Sequence, residues 1–165
     1  GLLASREFSI EAKDGEVLGV ASSAWLLVDT QRLRPLRIPD FVDAIRTPLN
    51  EKPIPDPFPR LTLPGTPQHE AHFSVREHDI DLNQHANNVA FLRWALEGLP
   101  RDHHAGHSLT ACEAQYKAEA AVRAPVVAVA GEEEGGAPVT LAHGIYRDGD
   151  PRKEIARIRT HWTPV

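Results

Sequence analysis

A chain of 165 residues, 41% of them hydrophobic, can form one globular domain or one domain with part of another, and this composition excludes disorder throughout. Its 18 Lys and Arg residues against 23 Asp and Glu residues give a formal net charge of -5. The charged residues of both signs are interspersed along the chain, so we do not expect a nucleic-acid-binding protein. No apolar run approaches the roughly 20 residues that cross a bilayer, and we expect no membrane association.

Sulfur-containing residues are scarce. Cys112 is the single cysteine, which excludes an intrachain disulfide and fits a reducing compartment, so we expect a cytoplasmic protein. The sequence has no methionine, which indicates a processed chain or a fragment.

The first 40 residues indicate strands without a helix. Phe8 and Ile10 alternate with polar residues, Asp14-Gly15 is a typical hairpin turn, and residues 16–29 predict a long, mostly buried strand. Residues 41–68 are rich in proline, which removes backbone donors and favours extended conformations, and they predict a semi-rigid linker. We therefore predict three parts: residues 1–40, the linker 41–68, and a domain over residues 69–165.

Polar residues and then a helix follow a short strand. In residues 69–76, Phe73 and Val75 face one way. Asp81, Asn83 and His85 alternate with Leu82 and Gln84, so an extended backbone would place the three polar groups on one side. Together they would place a carboxylate base, an amide hydrogen-bond donor and an imidazole in one cluster. The alternative is a local role, because Asp and Asn are also typical of turns beside a capped helix.

Apolar residues then recur at helical spacing, with Asn87 or Asn88 as the N-cap and Gly98 and Pro100 at the end. The predicted apolar stripe is Val89, Leu92, Leu96 and Leu99.

The remaining chain predicts a loop and four strands. The loop, residues 101–107, holds His103, His104 and His107, but its spacing is not typical of a metal site, so we expect no metal and no cofactor. Strands are predicted near residues 109–120, 125–133, 138–147 and 154–162. One helix packed on a curled antiparallel sheet is an α+β arrangement, the hotdog fold.

Four stretches of the sequence together carry a family resemblance: REFSIEAKDGEVLGVASSAWLLVD with RPLRIPD, then VREHDIDLNQHANNVAFLRWALEGLP, then EAQYKAEA, and IARIRTHW. With these stretches the sequence resembles the acyl-acyl-carrier-protein thioesterase family. Members of this family have two tandem hotdog domains with the catalytic residues in the second. The resemblance implies that this chain holds the closing strands of a first, incomplete hotdog without its helix. A partner chain or further residues should then cover an exposed apolar face.

The family's active-site motif matches Asp81, Asn83 and His85, and its later acidic position matches Glu119. Plant members have a cysteine directly after that glutamate, where this chain has Ala120. Cys112 lies too early to replace it, so a cysteine nucleophile is unsupported and we expect carboxylates, amide, imidazole and water to act.

The resemblance implies hydrolysis of acyl-carrier-protein thioesters to free fatty acids, with acyl carrier protein as the partner. Two alternatives stay open. One is another hotdog enzyme, a thioesterase for acyl-coenzyme A or a dehydratase, because a fold does not fix a function. The other is a truncated, non-catalytic module for acyl binding or assembly. The oligomeric state is also open, with a homodimer among the options.

Overall fold

A computed structural model of the chain describes residues 2–29, 31–32, 34–39, 53–54, 58–133 and 138–165. The chain divides into two compact units, Gly1–Arg60 and Leu61–Val165. Much of the proposed linker lies outside the described residues, and the boundaries at residues 40 and 68 stay a prediction. Leu61 is buried, and its carbonyl accepts a hydrogen bond from Arg157 Nη1 at 2.8 Å, so contacts within the second unit begin at this residue.

The first unit is an antiparallel sheet of three strands in the order β1-β2-β3. The strands are β1 (Leu3–Glu11), β2 (Val17–Asp29) and β3 (Arg34–Leu36). The predicted hairpin between β1 and β2 is confirmed. Gly15 has a φ of 90°, which favours glycine, and the Ala12 N–H donates to the Glu16 carbonyl at 2.8 Å across the turn.

The prediction that β2 is mostly buried is wrong. Its large apolar side chains are exposed, Trp25 by 48%, and so is Phe8 on β1. No helix occurs among the described residues of the first unit, so these residues supply no layer that would bury the sheet. The expected exposed apolar face is therefore present.

The second unit is a five-stranded antiparallel sheet in the order β4-β6-β7-β8-β5. Its strands are β4 (His69–Ser74), β5 (His107–Tyr116), β6 (Pro125–Glu132), β7 (Val139–Arg147) and β8 (Lys153–Pro164). Phe73 and Val75 face the core as predicted, while His72 and Ser74 are exposed. The described helices are a 3-10 turn (Glu77–Asp79), α1 (Asn88–Glu97) and α2 (Arg101–Gly106).

The predicted apolar stripe is confirmed in part: Leu92 and Leu96 pack against the core and Leu99 is buried, but other residues of α1 form the centre of its contact with the sheet. The buried residues are Ala90, Phe91, Trp94 and Ala95, whereas Val89 is 67% exposed. The aromatic rings of Phe91 and Trp94 bury more apolar area than the aliphatic side chain of Val89 would. The core beneath α1 consists of small and branched residues on three strands, including Val126, Ala128, Ile145, Ile155 and Ile158.

The histidine-rich segment predicted as a loop forms the short helix α2 instead. Pro100 precedes it with a φ suited to a helix start, and His104 Nε2 lies 3.0 Å from the Leu96 carbonyl. The His103 ring contacts Trp162 edge-on at 4.6 Å between ring centroids, and this contact was invisible in the sequence. Within the described ranges, no helix is long and apolar enough to cross a membrane.

A buried histidine lies on β7. His143 has no solvent exposure, its Nε2 lies 2.8 Å from Thr160 Oγ1, and its Nδ1 has no hydrogen-bond partner among the described residues. Burial, with smaller contributions from His103 and His69, lowers the pKa of His143 to about 4. The folded protein therefore holds this imidazole neutral.

We expect acid to destabilise the protein through His143. The unfolded chain takes up this proton near the ordinary pKa of 6.5, the folded chain only near 4, so the free energy of unfolding falls as the pH drops from about 6.5 to 4. The loss by pH 5 should be about 2 kcal/mol, from 1.36 kcal/mol per pKa unit. Urea unfolding at pH 8 and pH 5 measures it. His143→Gln should flatten the pH dependence of the free energy of unfolding, even if the variant is itself less stable than wild type. An unchanged pH dependence in this variant would assign the effect to other groups.

Candidate active site

The segment that carries Asp81, Asn83 and His85 is a tight turn, so the prediction of an extended segment with three side chains on one face is wrong. The Asp81 N–H donates to the His85 carbonyl at 2.9 Å, and Asp81 Oδ1 accepts from the Asn83 N–H at 2.8 Å. Gln84 has a φ of 65°, which reverses the chain. The physical reason is that Asp bonds the backbone two residues ahead, which competes with an extended conformation.

The turn is closed from both sides. Ile80 and Ala86 form an isolated antiparallel bridge, and Asn87 then caps α1 by accepting from the Ala90 N–H at 3.0 Å. The cap prediction is confirmed for Asn87. The turn thus leads directly into the N-terminus of α1, where free backbone N–H groups and the positive end of the helix dipole lie.

Glu119 lies in a loop beyond β5. The strand was predicted to continue to residue 120, which is wrong, because it ends at Tyr116. The N–H groups of Lys117 and Ala118 both donate to the Ile155 carbonyl, and this bends the chain out of the ladder. The Glu119 carbonyl accepts from Arg147 Nη2 at 3.0 Å, which anchors the loop to the end of β7.

The structure brings His85 and Glu119 together. The Ala86 N–H donates to the Ala120 carbonyl at 2.9 Å, which fixes the turn against the loop. One residue before each of these, His85 Nε2 lies 3.0 Å from Glu119 Oε2. Glu119 is 71% exposed and His85 38%, so water reaches both groups. An imidazole paired with a carboxylate can orient or deprotonate a water molecule.

Asp81 and Asn83 lie in the same turn as His85. Asp81 is half-buried and its backbone is paired with that of His85, while Asn83 is exposed. All four predicted residues therefore belong to two adjoining segments at the N-terminus of α1. Two carboxylates, an amide, an imidazole and helix N–H groups are a set that supports general acid-base chemistry and oxyanion stabilisation.

A groove of about 230 Å³ adjoins Glu119. It is lined by Ala86, Asn88, Phe91, Tyr116, Lys117, Ala118 and Glu119. The larger groove, about 460 Å³, is lined by other residues, including Asp79 and Arg93, and by none of the four candidates. The smaller groove is therefore the candidate site, because Glu119 lines it.

Tyr116 is a groove residue that the sequence reasoning missed. Its hydroxyl donates to the Asn88 carbonyl at 3.2 Å in the first turn of α1, and its ring contacts Phe91 edge-on. Burial raises the pKa of Tyr116 to about 12, so the hydroxyl remains a donor at any working pH. The sequence feature that could have identified Tyr116 is its position three residues before Glu119 in QYKAE, within a stretch that carries the family resemblance.

Cys112 lies within β5, opposite Thr160 on β8. Partial burial and the neighbouring Glu113 raise the pKa of its thiol, which disfavours the reactive thiolate. The position that follows Glu119 is Ala120, which is fully buried. The described residues thus offer no activated cysteine beside the site.

His103, His104 and His107 pack against one another and on Trp162. His103 stacks on His107 with 4.6 Å between ring centroids, and burial lowers the pKa of His103. Among the described residues, no group of three or more His, Cys, Asp and Glu side chains is arranged to hold a metal ion. These histidines line the structural contact between α2 and β8.

Comparison with known proteins decides the family. The family model of the acyl-ACP thioesterase C-terminal domain matches residues 64–164, more than half of the chain. The chain belongs to this family. The match covers the turn, α1 and the loop of Glu119.

Curated relatives agree with this membership. A dodecanoyl-[acyl-carrier-protein] hydrolase of Umbellularia californica is 25% identical over 96% of this chain and 44% of its own length. An oleoyl-acyl carrier protein thioesterase of Arabidopsis thaliana is 32% identical over 64% of this chain and 31% of its own. The chain thus spans less than half the length of these relatives, both of which are named as chloroplastic.

Solved structures confirm the hotdog fold. The 12:0-ACP thioesterase from Umbellularia californica superimposes with a TM-score of 0.84 at 23% identity, over 99% of this chain and 62% of that one. An acyl-ACP thioesterase from Bacteroides thetaiotaomicron gives a TM-score of 0.80 at 22% identity, over 98% of this chain and 63% of that one. The predicted α+β hotdog with a partial first hotdog fits this coverage.

Proposed function

We propose that this protein hydrolyses acyl-acyl-carrier-protein thioesters and releases free fatty acids, as the names of its relatives describe for them. One observation carries the proposal: His85 Nε2 and Glu119 Oε2 lie 3.0 Å apart, beside the Asp81 turn and the N-terminus of α1. The groove next to Glu119 supports it, because Phe91 and Ala118 offer apolar walls to an acyl group.

Each residue of the site has a role in this proposal. Asp81, helped by Glu119, takes a proton from water, whose oxygen attacks the thioester carbonyl carbon. Asn83 and the N–H groups at the start of α1 stabilise the negative charge that develops on the carbonyl oxygen. His85, held by Glu119, orients the water. The carbon–sulfur bond then breaks, and the thiolate takes the proton that Asp81 removed from water, which releases the carrier's free thiol and restores the Asp81 carboxylate.

Direct attack by Asp81 is the alternative route. The carboxylate would form an acyl anhydride and expel the thiolate, and water would then cleave the anhydride. A single turnover in water labelled with oxygen-18 tests the anhydride route, since label in the Asp81 carboxylate supports the anhydride. Label in the fatty acid alone fits direct attack by water and also an anhydride cleaved at its acyl carbon, so mass spectrometry of the acid-quenched protein for an acyl group on Asp81 decides between these two.

Rival substrates are separated by a substrate profile. An acyl-coenzyme A thioesterase and an acyl-carrier-protein thioesterase share the thioester and differ in what carries it. We expect a higher kcat/KM on the acyl-carrier-protein ester than on the coenzyme A ester of the same acid. The reverse preference would assign the protein to coenzyme A esters, and hydration or dehydration of an enoyl or hydroxyacyl ester would make it a dehydratase.

A non-catalytic binding module is tested by lengthening the chain. Activity of the 165-residue chain is compared with that of a version lengthened at its N-terminus by the helix of a first hotdog. Inactivity of both, with acyl-carrier-protein binding retained, would support the module. We propose a cytoplasmic location, which fits the single cysteine of the chain.

Docking of acyl carrier protein is proposed to use the exposed residues Arg32, Arg34 and Arg37. The carrier is acidic and this chain has a net charge of -5, so a local basic surface is needed to attract it. We expect reversal of these three charges to raise KM for acyl-carrier-protein esters about tenfold and to flatten its salt dependence, a scale set by a few screened charge pairs. Steady-state kinetics at several salt concentrations measures both.

The controls for docking are a small thioester and Arg101→Glu, an exposed arginine on α2. Turnover of the small thioester should be nearly unchanged in the triple variant, because this substrate has no carrier protein that could dock on the three arginines. An equal loss on both substrates would reject docking, as would an equal effect of Arg101→Glu. The three arginines would then be ordinary solvated charges.

A further inference from the structure

A carboxylate outside the proposed catalytic set is buried just before the catalytic turn. Asp79 is 1% exposed and ends the short 3-10 helix. Its Oδ2 accepts from the Arg76 N–H at 2.8 Å, and its Oδ1 contacts the guanidinium of Arg93 and lies 3.4 Å from His78 Nε2. A buried charge of this kind is retained only where partners satisfy it.

The partner, Arg93, is on α1, more than one turn after the helix begins. Its side chain is 38% exposed, so its outer part is hydrated while Nη2 reaches the buried carboxylate. Glu97 Oε1 lies 3.9 Å from the Arg93 Nε on the same helix. The ion pair therefore ties the entry of the catalytic turn to the body of α1.

The backbone of Asp79 also holds the exit of the turn. Its carbonyl accepts from the Asn87 N–H at 2.8 Å, so residues 80–86 leave from Asp79 and return to it. This closed segment contains Asp81 and His85, and Ala86 is the residue that pairs with the loop of Glu119. A displacement of Asp79 would move both ends of the turn together.

We propose that Asp79 is a positioning residue and that Arg93 is the counter-ion that fixes it. The pair sets the distance of the turn from the N-terminus of α1, and so aligns Asp81 and His85 with Glu119 and the helix N–H groups. Misplacement of a reacting group by about 1 Å can cost about a hundredfold in rate, while substrate binding elsewhere is unaffected. This inference rests on the proposed thioesterase function.

The variants are chosen to separate positioning from stability. Asp79→Asn keeps the shape and removes the charge, and Arg93→Gln removes the partner from a partly exposed site. We expect each to lower kcat on an acyl-carrier-protein ester at least tenfold, with KM changed less than about twofold. Arg93→Lys, which retains a charge, should recover most of kcat, and Glu97→Gln, the matched control on the outer side of Arg93, should equal wild type.

A second readout does not depend on activity. Amide hydrogen exchange of Asp81, Gln84 and Asn87 reports the closed turn directly, since these N–H groups make its internal hydrogen bonds. Exchange at these three should speed up in Asp79→Asn and Arg93→Gln, with β6 and β7 still protected. If Asp79→Asn does not fold, Arg93→Gln decides the outcome alone.

Two results overturn the proposal. One is a wild-type kcat per folded molecule in Arg93→Gln, with only a lower melting temperature. The other is unchanged exchange at the three turn amides. Inactive wild type, by contrast, rejects the thioesterase proposal, and the exchange data then still decide whether Asp79 and Arg93 hold the turn.

Discussion

Asp81→Asn and His85→Ala are each expected to lower turnover of an acyl-carrier-protein thioester about a hundredfold or more, the usual scale for losing an acid-base or orienting group. Asp81→Asn removes the proposed base, and His85→Ala removes the imidazole that lies 3.0 Å from Glu119. Steady-state kinetics on purified protein, with circular dichroism to verify folding, measures the effect.

The matched control for these variants is Leu82→Ala. Leu82 is in the same turn and 99% exposed, so its truncation alters the turn without removing a functional group or a packed side chain. It should keep near wild-type activity. Near wild-type turnover in folded Asp81→Asn or His85→Ala would remove that residue from the mechanism.

Glu119→Gln is expected to slow hydrolysis at least about tenfold and to remove one limb of the pH-rate profile. The amide is nearly isosteric with the carboxylate, but it cannot ionise, so it no longer acts as an anion beside His85. The backbone bonds that hold the loop, from Arg147 to the Glu119 carbonyl and from the Ala86 N–H to Ala120, are kept. The loss should therefore appear in the rate and not in the melting temperature.

Ala120→Cys separates the carboxylate mechanism from a cysteine mechanism. Ala120 is fully buried, so a sulfur atom there must displace packed neighbours, and we expect a small loss of stability with activity changed less than about twofold. Cys112→Ser should also leave activity nearly intact, since its thiol has a raised pKa. An inactive wild type that Ala120→Cys switches on would favour a cysteine nucleophile, and full activity in Glu119→Gln would make Glu119 a bystander.

Local patterns in the sequence predicted the elements well where one physical effect dominates. Asp14-Gly15 gave the hairpin because glycine suits a positive φ, and Asn87 gave the helix start because its side chain satisfies a free N–H. Alternation correctly oriented Phe73 and Val75. The hotdog arrangement itself came from the strand count around one helix and from the family resemblance.

Predictions failed where two effects compete. Residues 81–85 alternate like a strand, yet the Asp81 side chain bonds the Asn83 N–H and makes a turn. On α1, Val89 fits the helical spacing of the predicted stripe but is exposed, because tertiary packing centres the buried face on Phe91 and Trp94. The pairing of His85 with Glu119 joins residues 34 positions apart through a backbone bond from Ala86, which no local pattern encodes.

The most direct test of the proposed function is the release of product from a purified acyl-carrier-protein thioester by wild type and Asp81→Asn. Free fatty acid and free carrier thiol are measured together, with both the 165-residue chain and its lengthened version. We predict equal amounts of the two products with wild type and at most about a hundredth of that rate with Asp81→Asn. No release by either wild-type version, or equal release by Asp81→Asn, would contradict the account.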